Sequence, residues 1–185
     1  MSLTKWSLDP THSEVTFKVK HLMISTVSGQ FKKFTLEGET ETDEFNTAQK
    51  IEFTADIDSI DTNNEQRDAH LKSADFFNIE KYPQLIFSGS KFEGQGEDGK
   101  LSGDLTIAGI TKPVVLNVDF GGIVVDPFGQ TKAGFTVAGK INRKDFGITY
   151  GSTLETGGVL LGDEIKINAE IQLIKKVAKE LVEAA

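Results

Sequence analysis

The segment IKINAEIQL, residues 165–173, alternates apolar and polar side chains without a break. Successive side chains of a β-strand point to opposite faces, so this period of two predicts a strand with one buried and one solvated face. Five other segments show the same alternation, namely residues 15–19, 51–57, 101–107, 114–120 and 135–141. Residues 28–38 and 84–93 are less regular and are also predicted to be strands. A change of parity between Phe87 and Phe92 predicts a β-bulge in the second of these two segments.

The eight segments together predict an all-β fold. One-sided alternation is typical of antiparallel strands, and turn sequences rich in glycine separate several of the segments. Eight such strands can form a two-sheet sandwich or an antiparallel β-barrel, and a closed eight-stranded barrel has room inside for side chains or one small ligand. The residues expected to face the interior are Val15, Phe17, Val19, Phe53, Ile57, Leu105, Ile107, Phe135, Val137, Ile167 and Ile171.

The series of strands is interrupted between Ser59 and Pro83. Residues 62–65, Thr-Asn-Asn-Glu, fit the capping-box pattern with Thr62 as the N-cap and predict one short helix over about residues 63–73. A helix this short is marginal alone, so we expect apolar side chains to anchor it across one mouth of the barrel. The candidates for that contact are Leu71, Phe76 and Phe77.

The chain of 185 residues suits one barrel domain over residues 1–174, followed by a short C-terminal segment, 175–185. The composition of that segment, rich in Lys, Glu, Ala, Leu and Val, predicts a short tail or a small helix, and the tail is favoured. Residues 1–6 lead into polar sequence without the apolar stretch of a signal peptide. We therefore expect a cytoplasmic location, or a periplasmic one if a leader has been removed.

Composition excludes several classes of function. The chain carries 20 Lys and Arg against 28 Asp and Glu, a net charge of -8, whereas nucleic acids and anionic membranes are bound by clustered cations. It has no cysteine, which excludes disulfides, thiolate nucleophiles and cysteine-zinc sites. No run of about 18 apolar residues is present, so a membrane-spanning helix is not expected.

Two motifs that suggest a cofactor or a metal are better explained otherwise. Gly94, Gly96 and Gly99 match the G-x-G-x-x-G pattern of dinucleotide-binding proteins, but a strand follows them where that motif needs a helix N-terminus. Glu97 and Asp98 would also repel a phosphate, so this segment is predicted to be a hairpin loop. The three histidines lack the spacing of metal ligands. Neither a metal nor a cofactor is therefore expected.

The sequence Arg67-Asp68-Ala69-His70 supports three hypotheses. Asp68 and His70 could form an acid–base pair, or Arg67 and Asp68 could tie the helix to neighbouring strands through hydrogen-bonded ion pairs. Arg67, or Arg143 with Lys144, could also form the cationic end of a cavity whose ligand has an anionic head. The ion-pair hypothesis is favoured; it predicts that Arg67 and Asp68 are partly buried and that Arg67→Ala costs about 3–5 kcal/mol.

The aromatic residues are mostly phenylalanine, with 13 Phe against two Tyr and one Trp. Phe has no polar group, so each ring needs an apolar environment, in a core or around a cavity. The predicted inward positions mix large residues (Phe17, Phe53, Phe87, Phe135) with small ones (Ala55, Gly103, Gly139, Ala169). Small residues can leave volume for a ligand, although glycine can also mark a bend in a strand.

Several stretches together resemble the YceI family of lipid- or polyisoprenoid-binding-like proteins. In chain order they are Trp6-x-Leu8-Asp9-x-x-His12-Ser13, His21-Leu22-Met23-Ile24-Ser25-x-Val27-x-Gly29-x-Phe31, Ser59-Ile60-Asp61-Thr62, Arg67-Asp68-x-His70-Leu71, Asp75-Phe76-Phe77, Tyr82-Pro83, Gly103-Asp104-Leu105-Thr106-Ile107-x-Gly109-x-Thr111-Lys112-Pro113-Val114 and Ile141-Asn142-Arg143-x-x-Phe146-Gly147. The resemblance covers residues 6–174, with the motifs in register, and leaves only the C-terminal segment outside it.

The resemblance implies an extended, lipocalin-like, eight-stranded antiparallel β-barrel whose pore takes a long apolar chain, such as a polyisoprenoid or a fatty amide. It also implies a non-enzymatic binder that is often dimeric and linked to stress responses. The leading hypothesis is therefore binding of a long-chain amphipathic lipid, polyisoprenoid or fatty-acid-like, for storage, sequestration or carriage. An enzyme acting on a bound lipid through Asp68 and His70 is one alternative. A ligand-free barrel acting through a protein partner is another.

The residues expected to contact such a ligand are mostly apolar, with two cations for its head group. They are Phe17, Val19, Phe53, Ile57, Phe76, Phe77, Phe87, Leu105, Phe135, Ile141, Phe146, Arg67 and Arg143.

Overall fold

The protein folds as one antiparallel sheet that closes on itself. The computed structural model describes residues 3–95, 97–151 and 158–176. Its strands are β1 (Thr4–Leu8), β2 (Glu14–His21), β3 (Ser25–Phe31), β4 (Phe34–Thr40), β5 (Ala48–Asp56), β6 (Ile60–Asp61), β7 (Gln84–Gln95), β8 (Asp98–Ile107), β9 (Ile110–Val125), β10 (Thr131–Asn142) and β11 (Leu161–Lys175). Short 3-10 turns lie at Pro10–His12, Phe45–Thr47, Ile57–Ser59 and Arg143–Phe146.

Eight strands form the barrel because three of them are bent and interrupted. β1 continues into β2, β3 into β4, and β5 into β6, so that β1 pairs with β4 while β2 pairs with β3, and β3 in turn pairs with β6. The remaining strands pair with their neighbours in sequence, from β5–β7 to β10–β11. β11 closes the barrel by pairing with both β1 and β2. The predicted eight-stranded antiparallel barrel is confirmed, and the two-sheet alternative is wrong.

The register confirms the predicted parity of the strands. Phe17 lies opposite Ile167, and Phe53 lies opposite Phe87, so apolar side chains of neighbouring strands share the inner face. A one-residue slip would turn these side chains to solvent, which fixes the pairing. The predicted bulge in β7 is present as a register shift between Gly89 and Lys91.

The inserted helix, α1, runs from Glu65 to Lys72, slightly shorter than predicted. Its N-cap is Asn64, whose side chain accepts a hydrogen bond from the Arg67 N–H, so the expectation that Thr62 caps the helix is wrong. The reason is that Asn63 adopts a left-handed conformation (φ 63°), which separates Thr62 from the first turn. α1 is the only α-helix of the described residues, and it is neither long nor apolar enough to cross a membrane.

The end of the barrel opposite α1 is packed with aromatic rings. Phe45 lies with its ring centroid 4.7 Å from those of both Trp6 and Phe135, and 5.8 Å from that of Phe120. Trp6 is 1% exposed and donates from Nε1 to the buried Thr40 hydroxyl. These four rings, which we call the aromatic plug, fill this end of the interior.

The small residues at inward positions mostly accommodate neighbouring side chains. A Cβ placed on Gly103 would lie 2.6 Å from the Phe87 ring, and one on Gly139 would lie 2.5 Å from Leu116. At these two positions the missing side chain makes room for a cross-strand neighbour, so neither glycine leaves volume for a ligand. Ala55 is fully buried, and Ala169 lines the interior cavity described below.

The C-terminal strand ends near the start of the chain. β11 extends to Lys175, and the Lys176 N–H donates to the Lys5 carbonyl, 2.9 Å away. Of the segment 175–185, predicted to be a tail or a small helix, Lys175 belongs to β11, and residues 177–185 lie outside the described residues. The division into a barrel domain and a tail therefore stays a prediction.

Candidate functional site

The barrel encloses a cavity of about 510 Å³ between α1 and the aromatic plug. Its walls are apolar side chains from the inner face of the strands. Of the residues predicted to contact a ligand, those that line this cavity are Phe17, Val19, Phe53, Phe76, Phe77, Phe87, Leu105, Ile141, Phe146, Arg67 and Arg143. These predicted residues therefore lie on one continuous cavity surface. Their contact with a ligand stays a prediction.

Ile57 and Phe135 do not line the main cavity. Ile57 lies in a 3-10 turn between β5 and β6 and is 1% exposed within the core. Phe135 faces inward, but it belongs to the aromatic plug and lines a separate void of about 80 Å³. Parity assigns a residue to a face of the sheet and says nothing about its depth along the barrel, which is why both were included.

Side chains around the cavity are less covered than those of a packed core. Phe17, Val19, Phe53 and Ile141 face inward and are nevertheless only half-buried. Protein interiors are normally packed without large voids, so inward residues of a filled barrel would be fully buried. Their exposure is to the cavity, which shows that the interior next to α1 is hollow.

The cavity opens beside α1. Among the described residues that line it, Arg67 and Tyr150 are exposed, and the others are buried or half-buried. Arg67 lies on α1, and Tyr150 lies in the loop that follows the 3-10 turn Arg143–Phe146. With the aromatic plug at the other end, the cavity has its mouth between this helix and this loop.

Aromatic contacts join α1 to that loop at the mouth. The His70 ring packs edge-on against Phe76 and Tyr150, with centroids 5.1 and 4.8 Å away, and the two latter rings are 5.2 Å apart. His70 Nε2 lies 2.8 Å from the Asp75 carboxylate. These three rings therefore pack on one another at the rim of the mouth, where the helix and the loop meet.

Arg143 is a buried cation in the cavity wall. It is 4% exposed, and its guanidinium donates to the carbonyls of Ile148, Tyr150, Leu161 and Gly162 at 2.6–3.3 Å. These bonds hold the loop at the mouth against the start of β11. Burial lowers the pKa of Arg143 and the charge of Asp163 acts to raise it, and a guanidinium remains protonated at neutral pH. Most of its donors are occupied, so Arg143 braces the mouth.

Arg67 and Asp68 both bind Thr62. Arg67 donates from Nε to the Thr62 hydroxyl (2.8 Å) and from Nη2 to the Thr62 carbonyl (2.5 Å), while Thr62 donates from its N–H and hydroxyl to Asp68. Within the described residues neither side chain forms an ion pair, so the ion-pair hypothesis is wrong. The predicted partial burial is wrong for Arg67, which is exposed, and confirmed for Asp68, which is half-buried. The Arg67 side chain is itself exposed, so water can partly replace these part-buried hydrogen bonds, and we expect Arg67→Ala to cost about 1–2 kcal/mol.

Asp68 and His70 are engaged with different partners. Asp68 accepts hydrogen bonds from Thr62, whereas His70 pairs with Asp75. Asp68 is also absent from the described cavity lining. In the described part of the chain, no three His, Asp or Glu side chains converge as metal ligands would.

Many residues that line the cavity were not among the predicted ligand contacts, and His21, Tyr150 and Leu160 show why. His21 continues the parity of Val15 to Val19, so the alternation could have identified it. Tyr150 and Leu160 lie in irregular segments, where no period marks the inward face. Only the path of the loop brings these two side chains to the cavity.

Comparison with known proteins identifies the fold and the family. Residues 6–173 match the model of the YceI-like domain. A UPF0312 protein of Staphylococcus epidermidis is 40% identical over 171 residues, which span 92% of this chain and 97% of that protein. The crystal structure of a Campylobacter jejuni YceI protein is 38% identical, with a TM-score of 0.75 over 92% of this chain and 97% of that chain.

A polyisoprenoid binding domain from Saccharophagus degradans has a TM-score of 0.67 over 92% of this chain and 98% of that domain. At 15% identity it shows a common fold alone. The matches to the family model and to the staphylococcal protein run from the first barrel strand to the last, and the chain belongs to the YceI-like domain family.

Proposed function

We propose that this protein binds one long-chain amphipathic lipid, polyisoprenoid or fatty-acid-like, inside the barrel and does not transform it. The observation that carries the proposal is the apolar cavity with a mouth beside α1 and the aromatic plug at its other end. A cavity of this form suits a chain that enters end-on and leaves its head group at the mouth. Storage, sequestration or carriage of the lipid follows from such binding.

The energetics of burial support this ligand class. The volume of about 510 Å³ lies in the range of small-molecule sites. Each methylene removed from water contributes about 0.8 kcal/mol, so about ten carbons contribute roughly 8 kcal/mol before the costs of binding. A polar head kept at the mouth avoids the cost of burying it.

Binding is favoured over catalysis because of the hydrogen bonds at α1. The acid–base pair that an enzyme would need is divided, with Asp68 on Thr62 and His70 on Asp75. The Saccharophagus domain, which has the same fold, is named for polyisoprenoid binding, and this supports an isoprenoid chain among the candidate ligands.

Filling the cavity tests the proposal. Ile167 lines the cavity in the middle of β11, and the neighbouring Lys166 is exposed on the outer face. We expect Ile167→Trp to lower the affinity for a fluorescent long-chain fatty acid by about tenfold or more, and Lys166→Trp to leave it within about twofold. Circular dichroism and a thermal melt establish that both variants are folded. Equal affinities for the two folded variants would contradict binding inside the barrel.

A further inference from the structure

The charge around the cavity is opposite to the charge of the whole chain. The chain has 28 acidic residues against 20 Lys and Arg, yet no Asp or Glu is among the described residues that line the cavity. The titratable lining residues are Arg67, Arg143, His21, His70 and Tyr150. Among the otherwise apolar lining of this acidic protein's cavity, the titratable groups are therefore two guanidiniums, two imidazoles and one phenol.

These groups lie at the mouth end of the cavity. Arg67 and His70 are three residues apart on α1, which places them on one face of the helix. Tyr150 packs on His70, and Arg143 donates a hydrogen bond to the Tyr150 carbonyl. A lipid whose chain points toward the aromatic plug would therefore present its head group to this cluster.

Some of the N–H donors of Arg67 have no hydrogen-bond partner within the described residues. A guanidinium carries five N–H groups, and the contacts of Arg67 with Thr62 use Nε and Nη2. Its Nη1 has no hydrogen bond within the described residues, and the neighbouring carboxylates bind elsewhere, Asp68 to Thr62 and Asp75 to His70. Thr62 thus fixes the orientation of the guanidinium and leaves one of its edges unoccupied at the mouth.

Arg143 adds positive charge at the mouth, although most of its N–H donors are already occupied. Its guanidinium is satisfied by backbone carbonyls, and the nearest carboxylate, Asp163, is 3.9 Å away and 42% exposed. A buried cation that is compensated mainly by neutral carbonyls raises the potential at the mouth. Such a potential favours an anion over a neutral group and disfavours a cation.

We propose that the mouth selects lipids with an anionic head group, a carboxylate or a phosphate, and that Arg67 binds that head through its unoccupied edge. This inference rests on the proposed function and adds the chemistry of the head to it. A planar guanidinium pairs with both kinds of anion through two parallel hydrogen bonds, which makes Arg67 suited to either.

Lipids that differ only in the head group test the inference on the unmodified protein. Oleate, oleamide and oleylamine share one chain, and farnesyl phosphate and farnesol share another. Their affinities can be compared at neutral pH by displacement of one neutral fluorescent probe. We expect oleate to bind about tenfold tighter than oleamide, oleylamine to bind most weakly, and farnesyl phosphate to exceed farnesol by about tenfold. The affinity ratio of oleate to oleamide is then compared with that of farnesyl phosphate to farnesol. The larger ratio identifies the preferred head group as the carboxylate or the phosphate.

A pair of charge-removing variants assigns the effect to Arg67. Arg67→Gln should lower the affinity for oleate by about tenfold while leaving oleamide within about twofold. Lys18→Gln, on the exposed outer face of β2, changes the net charge equally and should change neither affinity.

The outcomes separate this inference from the proposed function. Equal affinities for the charged and neutral lipids, or a preference for oleylamine, would show that the head is not selected as an anion, while binding itself stands. Failure of all five lipids to bind would contradict the proposed function.

Discussion

Asp9 shows at the residue scale how a buried charge holds the barrel closed. It is 5% exposed, directly before the 3-10 turn Pro10–His12 that joins β1 to β2. Burial opposes its ionisation, but hydrogen bonds from His12, Thr11 and Lys132, and the charge of Lys132, outweigh burial and hold its pKa well below the usual range. Its backbone N–H donates to the Gln172 carbonyl. Asp9 therefore ties the N-terminal strands to β10 and β11.

This lowered pKa predicts how stability depends on pH. A carboxyl whose pKa is depressed by folding stabilises the protein above its unfolded value of about 3.9 and loses that contribution as the pH falls below it. Asp9→Asn should therefore reduce the free energy of unfolding at neutral pH and flatten its decline below about pH 4. Urea unfolding across this range measures both. The exposed Asp104→Asn should keep the wild-type profile, and a profile of Asp9→Asn as steep as the wild type would contradict the account.

Arg143 gives a second prediction at this scale. Removing it leaves four carbonyls at the mouth without their donor, so Arg143→Met should lower the free energy of unfolding by about 3–5 kcal/mol. Lys144→Met, next along the chain and exposed, should cost less than about 0.5 kcal/mol. Chemical denaturation compares the two, and similar losses would mean that the carbonyls find water as an adequate substitute.

Among the strands, the packing of the Phe87 ring of β7 against Gly103 of β8 gives a test of their pairing. A Cβ on Gly103 would lie 2.5 Å from the Ser88 carbonyl oxygen and close to the Phe87 ring, whereas nothing lies within 4 Å of one on Gly134. Gly103→Ala should therefore cost about 1–3 kcal/mol through overpacking, and Gly134→Ala should cost less than about 0.5 kcal/mol. Thermal unfolding of both variants measures the difference. A Gly103→Ala variant as stable as the wild type would show that the Phe87 ring does not pack against Gly103.

The distal part of β9 gives a prediction about self-association. β8 pairs with β9 only as far as Asp119, and beyond Phe120 the described residues leave the other edge of β9 without a partner strand. Val124 and Val125 are 64% and 68% exposed there. An apolar strand edge is a template for pairing, and two copies of one edge can pair antiparallel about a twofold axis. We therefore expect a homodimer through this edge.

Light scattering after size exclusion checks that expectation. Val124→Lys should convert the dimer to a monomer, because the charge would lie in the shared edge. Val115→Lys, exposed on the part of β9 that pairs with β8, should remain dimeric. A wild-type protein that is monomeric at every concentration would contradict the expectation.

Sequence patterns predicted the elements of this fold unevenly, for physical reasons. Long alternating segments such as residues 165–173 impose a face and hence a register, so these strands were predicted correctly. β1 has only five residues and β6 only two, too few to show a period. The N-cap was misplaced because the capping pattern begins at Thr62, whereas the left-handed Asn63 moves the helix start to Asn64.

At the scale of the whole molecule, the barrel has one filled and one hollow half. Phe45 and Phe135 pack with Trp6 in the aromatic plug, while Phe17 and Phe53 stand around the cavity. All these aromatic residues are apolar and most have inward parity, so the sequence predicts which side chains face the interior. It does not indicate which rings pack together in the plug and which surround the cavity. That depends on the bends of the strands and on where α1 and the loop at Tyr150 cross the barrel.

The central claim, that this hollow half holds one long-chain lipid, is tested most directly by native mass spectrometry of the purified protein incubated with a long-chain lipid. We expect one lipid bound per chain in the wild type, loss of that species in Ile167→Trp, and its retention in Lys166→Trp. A wild-type protein found only at its unliganded mass after incubation with both fatty acids and isoprenoids would contradict it.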